Sequence, residues 1–298
     1  MKIVKKIDIH VHTSRKKGMT RTNEQTYASP AELREMYDKV GIEKGVLLPS
    51  INVECAFDNS TNTDMWEIAE AMPESFAWFC NLDPRMGNNS PDTDFGRFLE
   101  YYKSMGAKGL GEICANLYFD DPRVLNLFKY CEKYDMSVTF HMGNMGNDYG
   151  LVDEIGMPRL EKVLGMFPNL KVFGHSQKFW AEISGDLTEE QRAGYPTGKV
   201  APGGRLVELM RKYPNLYGDM SAGSGYNAFS RDPDFGYAFI EEFQDRLLFG
   251  TDICAPENIT NPMLKLASFL DEGMLEGRIS YDAYYKVSRG NAEKILAK

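Results

Sequence analysis

His10 and His12 stand two residues apart in Lys6-Ile7-Asp8-Ile9-His10-Val11-His12-Thr13, a run in which apolar and polar residues alternate. Alternation of period two predicts a β-strand. Strand side chains two apart share a face, with Cα atoms roughly 7 Å apart. Two imidazoles so placed can converge on one metal ion. The chain has four histidines, and the other two, His141 and His175, end apolar runs rich in β-formers. Asp83, Glu112, Asp219 and Asp252 end or closely follow similar runs, with Ser221 beside Asp219. Imidazole and carboxylate ligands without cysteine suit zinc, with manganese, iron and nickel as alternatives. Three or four protein ligands that leave one position for water make a catalytic site. Asp252, in Phe249-Gly250-Thr251-Asp252, is suited to weak ligation and to taking the proton of a metal-activated water, whose pKa falls to about 7. Glu112 follows Gly109-Leu110-Gly111, and glycines within a strand mark close approach of a ligand or another backbone. It is read as a bridge between two ions or as a hydrogen-bond partner of a ligand histidine. His175 has two readings as well: a second-metal ligand beside His141, or a free acid–base group titrating near neutral pH.

Eight short apolar runs carry these residues: Val4–His12, Lys44–Pro49, Phe76–Leu82, Ala107–Ile113, Ser137–Met142, Leu170–His175, Leu216–Ser221 and Leu247–Ile253. Most are followed by a segment of helical period, and Ser29-Pro30, Asp121-Pro122 and Asp232-Pro233 supply helix-start chemistry. Eight strand–helix alternations over this length predict a single (β/α)8 TIM barrel spanning residues 1–298. An open doubly wound sheet would carry a glycine-rich turn after its first strand, where this chain has His-x-His. In a barrel the active site lies at the C-terminal ends of the strands, which is where the histidines and carboxylates fall.

Composition narrows the function classes. The 298 residues are 43% apolar and 26% charged, with a net charge of −9, which argues against nucleic-acid or anionic-membrane binding. No apolar run reaches membrane-span length, and the N-terminus leads into a strand without a signal-peptide core. Five cysteines without CxxC spacing fit small buried side chains in a reducing compartment rather than a disulfide framework. The expectation is a cytoplasmic protein with a small-molecule substrate and neither nucleic-acid nor membrane partners. Homo-oligomerisation is left open.

The ordered set Asp8-Ile9-His10-Val11-His12, Thr139-Phe140-His141, Val172-Phe173-Gly174-His175 and Leu248-Phe249-Gly250-Thr251-Asp252, closing in Ser288-Arg289-Gly290-Asn291-Ala292-Glu293, resembles the amidohydrolase superfamily over essentially the whole chain. It is similar in particular to the group that includes aminocarboxymuconate-semialdehyde-type decarboxylases. The resemblance implies a metal-dependent (β/α)8 enzyme with His10, His12 and Asp252 on the principal ion. His141 joins them in single-metal members, or binds a second ion with His175 in two-metal members. Gly109-Leu110-Gly111-Glu112-Ile113 departs from the decarboxylase pattern and is more similar to the fourth strand of TatD-like two-metal hydrolases.

The expected activity is hydrolysis of a C–N or C–O bond in a small, anionic molecule by metal-activated water, with one or two ions bound and Asp252 and His175 as catalytic groups. Two alternatives stand beside it: non-oxidative decarboxylation of an aromatic or dienoic acid, and a metal-stabilised binding protein without catalysis. The basic loop Ser14–Arg21 offers Arg15 and Arg21 to an anionic group, and the long Gln177–Gly203 segment offers Phe179 and Trp180 to a planar one. Arg231 and Glu257 are further rim candidates.

Overall fold

The protein is described from a computed structural model covering residues 2–297 except 22, 56–58 and 147. Nine strands run in chain order: β1 (Lys6–Val11), β2 (Ile42–Leu47), β3 (Phe76–Trp78), β4 (Gly109–Ile113), β5 (Ser137–Gly143), β6 (Leu151–Val152), β7 (Val172–His175), β8 (Leu216–Asp219) and β9 (Leu247–Leu248). All their pairings are parallel. β1-β2-β3 form one ladder and β4-β5-β7-β8-β9 another, with the two-residue β6 beside β5. Hydrogen bonds from β4 and β1 to residues just past the ends of β3 and β9 join the ladders at both seams. Cys80 N donates to Gly109 O (3.0 Å) and Gly111 N to Cys80 O (2.8 Å) between β3 and β4, while Ile9 N donates to Phe249 O and His12 N to Ile253 O (both 2.9 Å) between β9 and β1. The closed circuit is a (β/α)8 barrel to which β6 is an addition.

Helix boundaries follow the local chemistry. Helix Pro30–Val40 starts with a reciprocal cap between Ser29 and Glu32 and stops at Gly41, whose φ of 81° suits glycine. Helix Pro122–Lys133 is capped by the Asp121 carboxylate. Asp232 departs from expectation: it does not cap helix Pro233–Glu242, and its carboxylate accepts from Val200 N at 3.1 Å instead. The Gln177–Gly203 segment contains two short helices, Gln177–Ala181 and Glu189–Arg192. Among the described residues no helix is long and apolar enough to cross a membrane.

Two apolar layers hold the barrel. Ile7, Ile9, Val46, Leu48, Phe79, Phe173 and Leu248 fill its interior, with Ala292 and Ile295 added by the last helix, Asn291–Leu296. A larger layer, including Val11, Leu47, Leu110, Val138, Phe140 and Val172, lies between strands and helices. Strict alternation would separate Ile7 and Ile9 from His10 and His12. A register shift between Asp8 and Val11 reverses the faces within β1. Below it the isoleucines face inward; above it the histidines do. A similar shift between Leu110 and Ile113 turns Glu112 inward although Leu110 packs outward. Gly111 has a φ of 133°, and a Cβ there would lie 2.4 Å from Thr139 O.

Candidate metal centre

The seam strands bring His10, His12 and Asp252 together, and β4, β5 and β7 add Glu112, His141 and His175. The Nε2 atoms of His10 and His12 are 3.0 Å apart. Glu112 Oε2 lies 3.7 and 3.5 Å from them, and Asp252 Oδ1 lies 3.6 and 3.5 Å away. Two ligand atoms of one tetrahedral ion at 2.0–2.1 Å are separated by roughly 3.3 Å, so the histidine pair with either carboxylate comes close to the spacing such an ion needs. The other Glu112 oxygen, Oε1, is 2.9 Å from His141 Nδ1 and 3.6 Å from His175 Nε2, a second convergent group. One carboxylate therefore serves both groups.

The surrounding hydrogen bonds aim the rings. His12 Nδ1 donates to Leu48 O at 3.0 Å; a carbonyl can only accept, so the lone pair is left on Nε2. His10 Nδ1 lies 2.6 Å from Asp219 Oδ2, the carboxylate–histidine pairing that orients metal ligands. Two Nε2 atoms facing each other at 3.0 Å need a cation or a proton between them. Without metal a proton serves: burial opposes the charge on His10, but the Asp219 and Glu112 carboxylates outweigh it and raise its pKa well above the usual value. Burial and the His10 charge push His175 down to about 4, so its ring is neutral at pH 7. His175 Nδ1 is held by Ser221 Oγ at 2.9 Å. Beneath the centre, Asp8 accepts from His10 N, Thr251 N, Thr251 Oγ1 and Tyr37 Oη, at 3.0, 2.9, 2.6 and 2.7 Å. It thereby ties the β1 register shift to the residue before Asp252. Asp252 adopts a φ of 58°, which aspartate tolerates, and its side chain is the most exposed of the six, at 27%.

A cleft of about 320 Å³ opens over His12, Glu112, His141 and Asp252. Arg21 lines it, donating to Cys254 Sγ at 3.1 Å and stacking on Tyr27. Cys55 and Cys114 line it too, all five cysteines being unbridged. The other expected substrate contacts lie elsewhere. Arg15 turns outward to an ion pair with Glu67, and Lys17 pairs with Glu32. Phe179 is fully buried between β5 and β7, with Phe140 at 5.9 Å. Trp180 is buried against Phe229, its indole N–H donating to Asp219 O at 2.9 Å. Neither ring reaches the cleft, because the helix Gln177–Ala181 presents both to the core. Arg231 borders a separate small pocket with Tyr195 and Ser224, and Glu257 is exposed. Asp83 is bound by Arg85 and Asn52 rather than aimed at the centre.

Sequence reasoning left three residues without a role. Asp219 was visible as a strand-end carboxylate. Asn52 accepts from Cys114 N at 2.9 Å and donates to Asp83, and it carries no motif. Tyr149 packs on His141 with ring centroids 4.4 Å apart.

The amidohydrolase family model matches residues 7–298. Among solved structures, 5-carboxyvanillate decarboxylase from Sphingomonas paucimobilis is similar at 16% identity and TM-score 0.61, covering 99% of each chain. Dihydroxybenzoic acid decarboxylase from Polaromonas sp. JS666, solved with manganese and 2-nitroresorcinol, is 16% identical with TM-score 0.61, covering 99% of this chain and 97% of that one. A probable 2-pyrone-4,6-dicarboxylic acid hydrolase from Acinetobacter baumannii is 13% identical with TM-score 0.59, covering 99% and 100%. No curated protein sequence matches. With a family model spanning nearly every residue and barrel structures alike from end to end, the chain belongs to the amidohydrolase family.

Proposed function

We propose that this protein is a metal-dependent hydrolase that cleaves a C–N or C–O bond in a small anionic molecule. The observation that carries the reading is Glu112, whose two oxygens face two separate groups of candidate ligands. His10, His12 and Asp252 would hold one ion, His141 and His175 the other, and Glu112 would bridge them. The donor set of imidazoles and carboxylates suits zinc or manganese. A divalent ion bound there supplies Lewis acidity, activating water and polarising a carbonyl. Asp252, the most exposed of the set, takes the proton as water attacks the carbonyl carbon. It returns that proton to the leaving nitrogen or oxygen as the C–N or C–O bond breaks. A neutral His175 can act as a ligand without first losing a proton.

Non-oxidative decarboxylation is the second reading, supported by the similarity to structures of decarboxylases acting on 5-carboxyvanillate and dihydroxybenzoate. In that reading one ion is bound, and His175 moves the proton that replaces CO2 on carbon.

Metal content per chain separates the two. Hydrolysis predicts about two ions in the wild type and one or none in Glu112→Gln; a single ion in both proteins would remove the bridge. A screen of lactones, amides and hydroxybenzoates in D2O then reads the chemistry. Carbon-bound deuterium in the product marks decarboxylation, and its absence in a water-cleaved product marks hydrolysis.

A further inference from the structure

Three chambers adjoin the metal centre and share His141 and Tyr149 in their walls, and two of them carry a cation. The first is the cleft of about 320 Å³ over His12, Glu112 and Asp252. The second, about 370 Å³, runs from His141 to the helix Gln177–Ala181 and is lined chiefly by polar groups, among them Asn144, Asp148, Gln177 and Lys178. Each of these two has one cation that forms no ion pair among the described residues.

In the first chamber that cation is Arg21. One N–H goes to the Cys254 thiol and its face lies on Tyr27, 4.4 Å from the ring centroid. A guanidinium has five N–H donors, so others remain for a planar acid group. Of the acids in the cleft wall, Glu54 is held by Arg85 through two bonds of 2.7 and 2.8 Å, and Glu112 and Asp252 face the histidines. In the second chamber the cation is Lys178, 8% exposed, on the helix that follows His175 directly. Three acids lie near it, Glu189, Asp148 and Glu182, none of them in an ion pair with it among the described residues. Asp148 accepts from Asn144 N, Asn144 Nδ2 and Tyr149 N. Glu182 pairs with Arg192 at 2.8 Å and accepts from Gly156 N. Burial lowers the Lys178 pKa. The nearby carboxylates favour the ammonium charge without touching it, so a ligand acid can take the direct ion-pair position beside the Lys178 ammonium.

We propose that the substrate carries two acidic groups, one on each side of the reacting bond, the first held by Arg21 and the second by Lys178. This rests on the metal centre being the site of reaction. It narrows the substrate class from an anionic molecule to a dianionic one, extended across the His141–Tyr149 wall.

Equilibrium binding tests it without turnover. Metal-loaded wild type, Lys178→Met, Lys178→Gln and Arg21→Gln are titrated with linear dicarboxylates from glutarate to azelate and with monocarboxylates of equal length. Metal content of each protein is measured alongside. In the wild type, one dicarboxylate length should bind at least 10-fold more tightly than its monocarboxylate. Each of the three variants should lose that advantage while keeping its metal. Equal binding of mono- and dicarboxylates by the wild type, or an advantage that persists in both Lys178 variants, overturns the proposal. The metal-centred reading is judged by the same titrations after chelation. Monocarboxylate binding that survives metal removal unchanged overturns that reading and this inference with it. Metal-dependent monocarboxylate binding to which a second acid adds nothing overturns the inference alone.

Discussion

Asp219 is not placed as a ligand, yet it decides which nitrogen His10 presents. Its carboxylate takes the Nδ1 side of the ring at 2.6 Å, and its own backbone oxygen is fixed by the Trp180 indole. Replacing it with asparagine preserves the shape but removes the charge that favours a donated Nδ1–H. Metal affinity should fall about 10- to 100-fold in Asp219→Asn, read by competition with a chromophoric chelator. Unchanged affinity would show that the His10 ring is held by packing alone. At this scale the six convergent residues were legible because histidine and strand-end carboxylates are few and their chemistry is specific. The aromatic residues were not. Phe179 and Trp180 have the same composition whether a helix turns them to the cleft or to the core, and here packing around Phe140 and Phe229 decides.

The strands were legible as short apolar runs rich in β-formers, with period-two alternation in the first, and their order along the chain predicted the barrel. The register shifts were not, because a one-residue offset leaves the residue pattern unchanged while reversing its faces. In β1 that offset is stitched by Asp8, which accepts four hydrogen bonds in a fully buried setting. Burial nevertheless pushes its pKa up to about 6 from 3.8. Between those values folded Asp8 holds a proton that the unfolded chain has released. Raising the pH through this window therefore removes stability, and above pH 6 the loss is complete. The shift corresponds to about 3 kcal/mol, to order of magnitude. Asp8→Asn mimics the protonated acid: its oxygen still accepts from His10 N and Thr251 N, and its amide donates to either hydroxyl. In metal-free protein, the stability of wild type relative to Asp8→Asn should fall by about 2 kcal/mol from pH 4 to pH 7, by urea unfolding at each pH. A difference that stays constant with pH would mean that the four donors keep Asp8 ionised throughout.

Across the whole molecule, the candidate ligands come from both ladders. His10 lies on β1 and His12 just follows it, Asp252 follows β9, and Glu112, His141 and His175 lie on β4, β5 and β7. Ordinary strand hydrogen bonds hold each ladder, but the two seams rest on a few bonds to residues past the ends of β3 and β9. An ion at this centre would span the β9–β1 seam and reach across the barrel to β4, a coupling visible only once the circuit is closed. Because the unfolded chain cannot gather these residues, binding adds to folding stability as RT ln(1 + [L]/Kd), about 2.7 kcal/mol at a free concentration 100 times Kd. With an unfolding entropy of about 2.1 cal/mol/K per residue, that raises the unfolding temperature of a chain of this size by roughly 4 °C. Scanning calorimetry of chelator-treated protein with increasing manganese should show a midpoint that climbs with the logarithm of free metal. In the double variant His10→Asn/His12→Asn the midpoint should stay flat, whatever its starting value. Reading the metal increment within each protein separates lost binding from any intrinsic cost of the substitutions. An equal climb in the double variant would place the stabilising ion away from β1, and the seam would then have to hold through its backbone bonds alone.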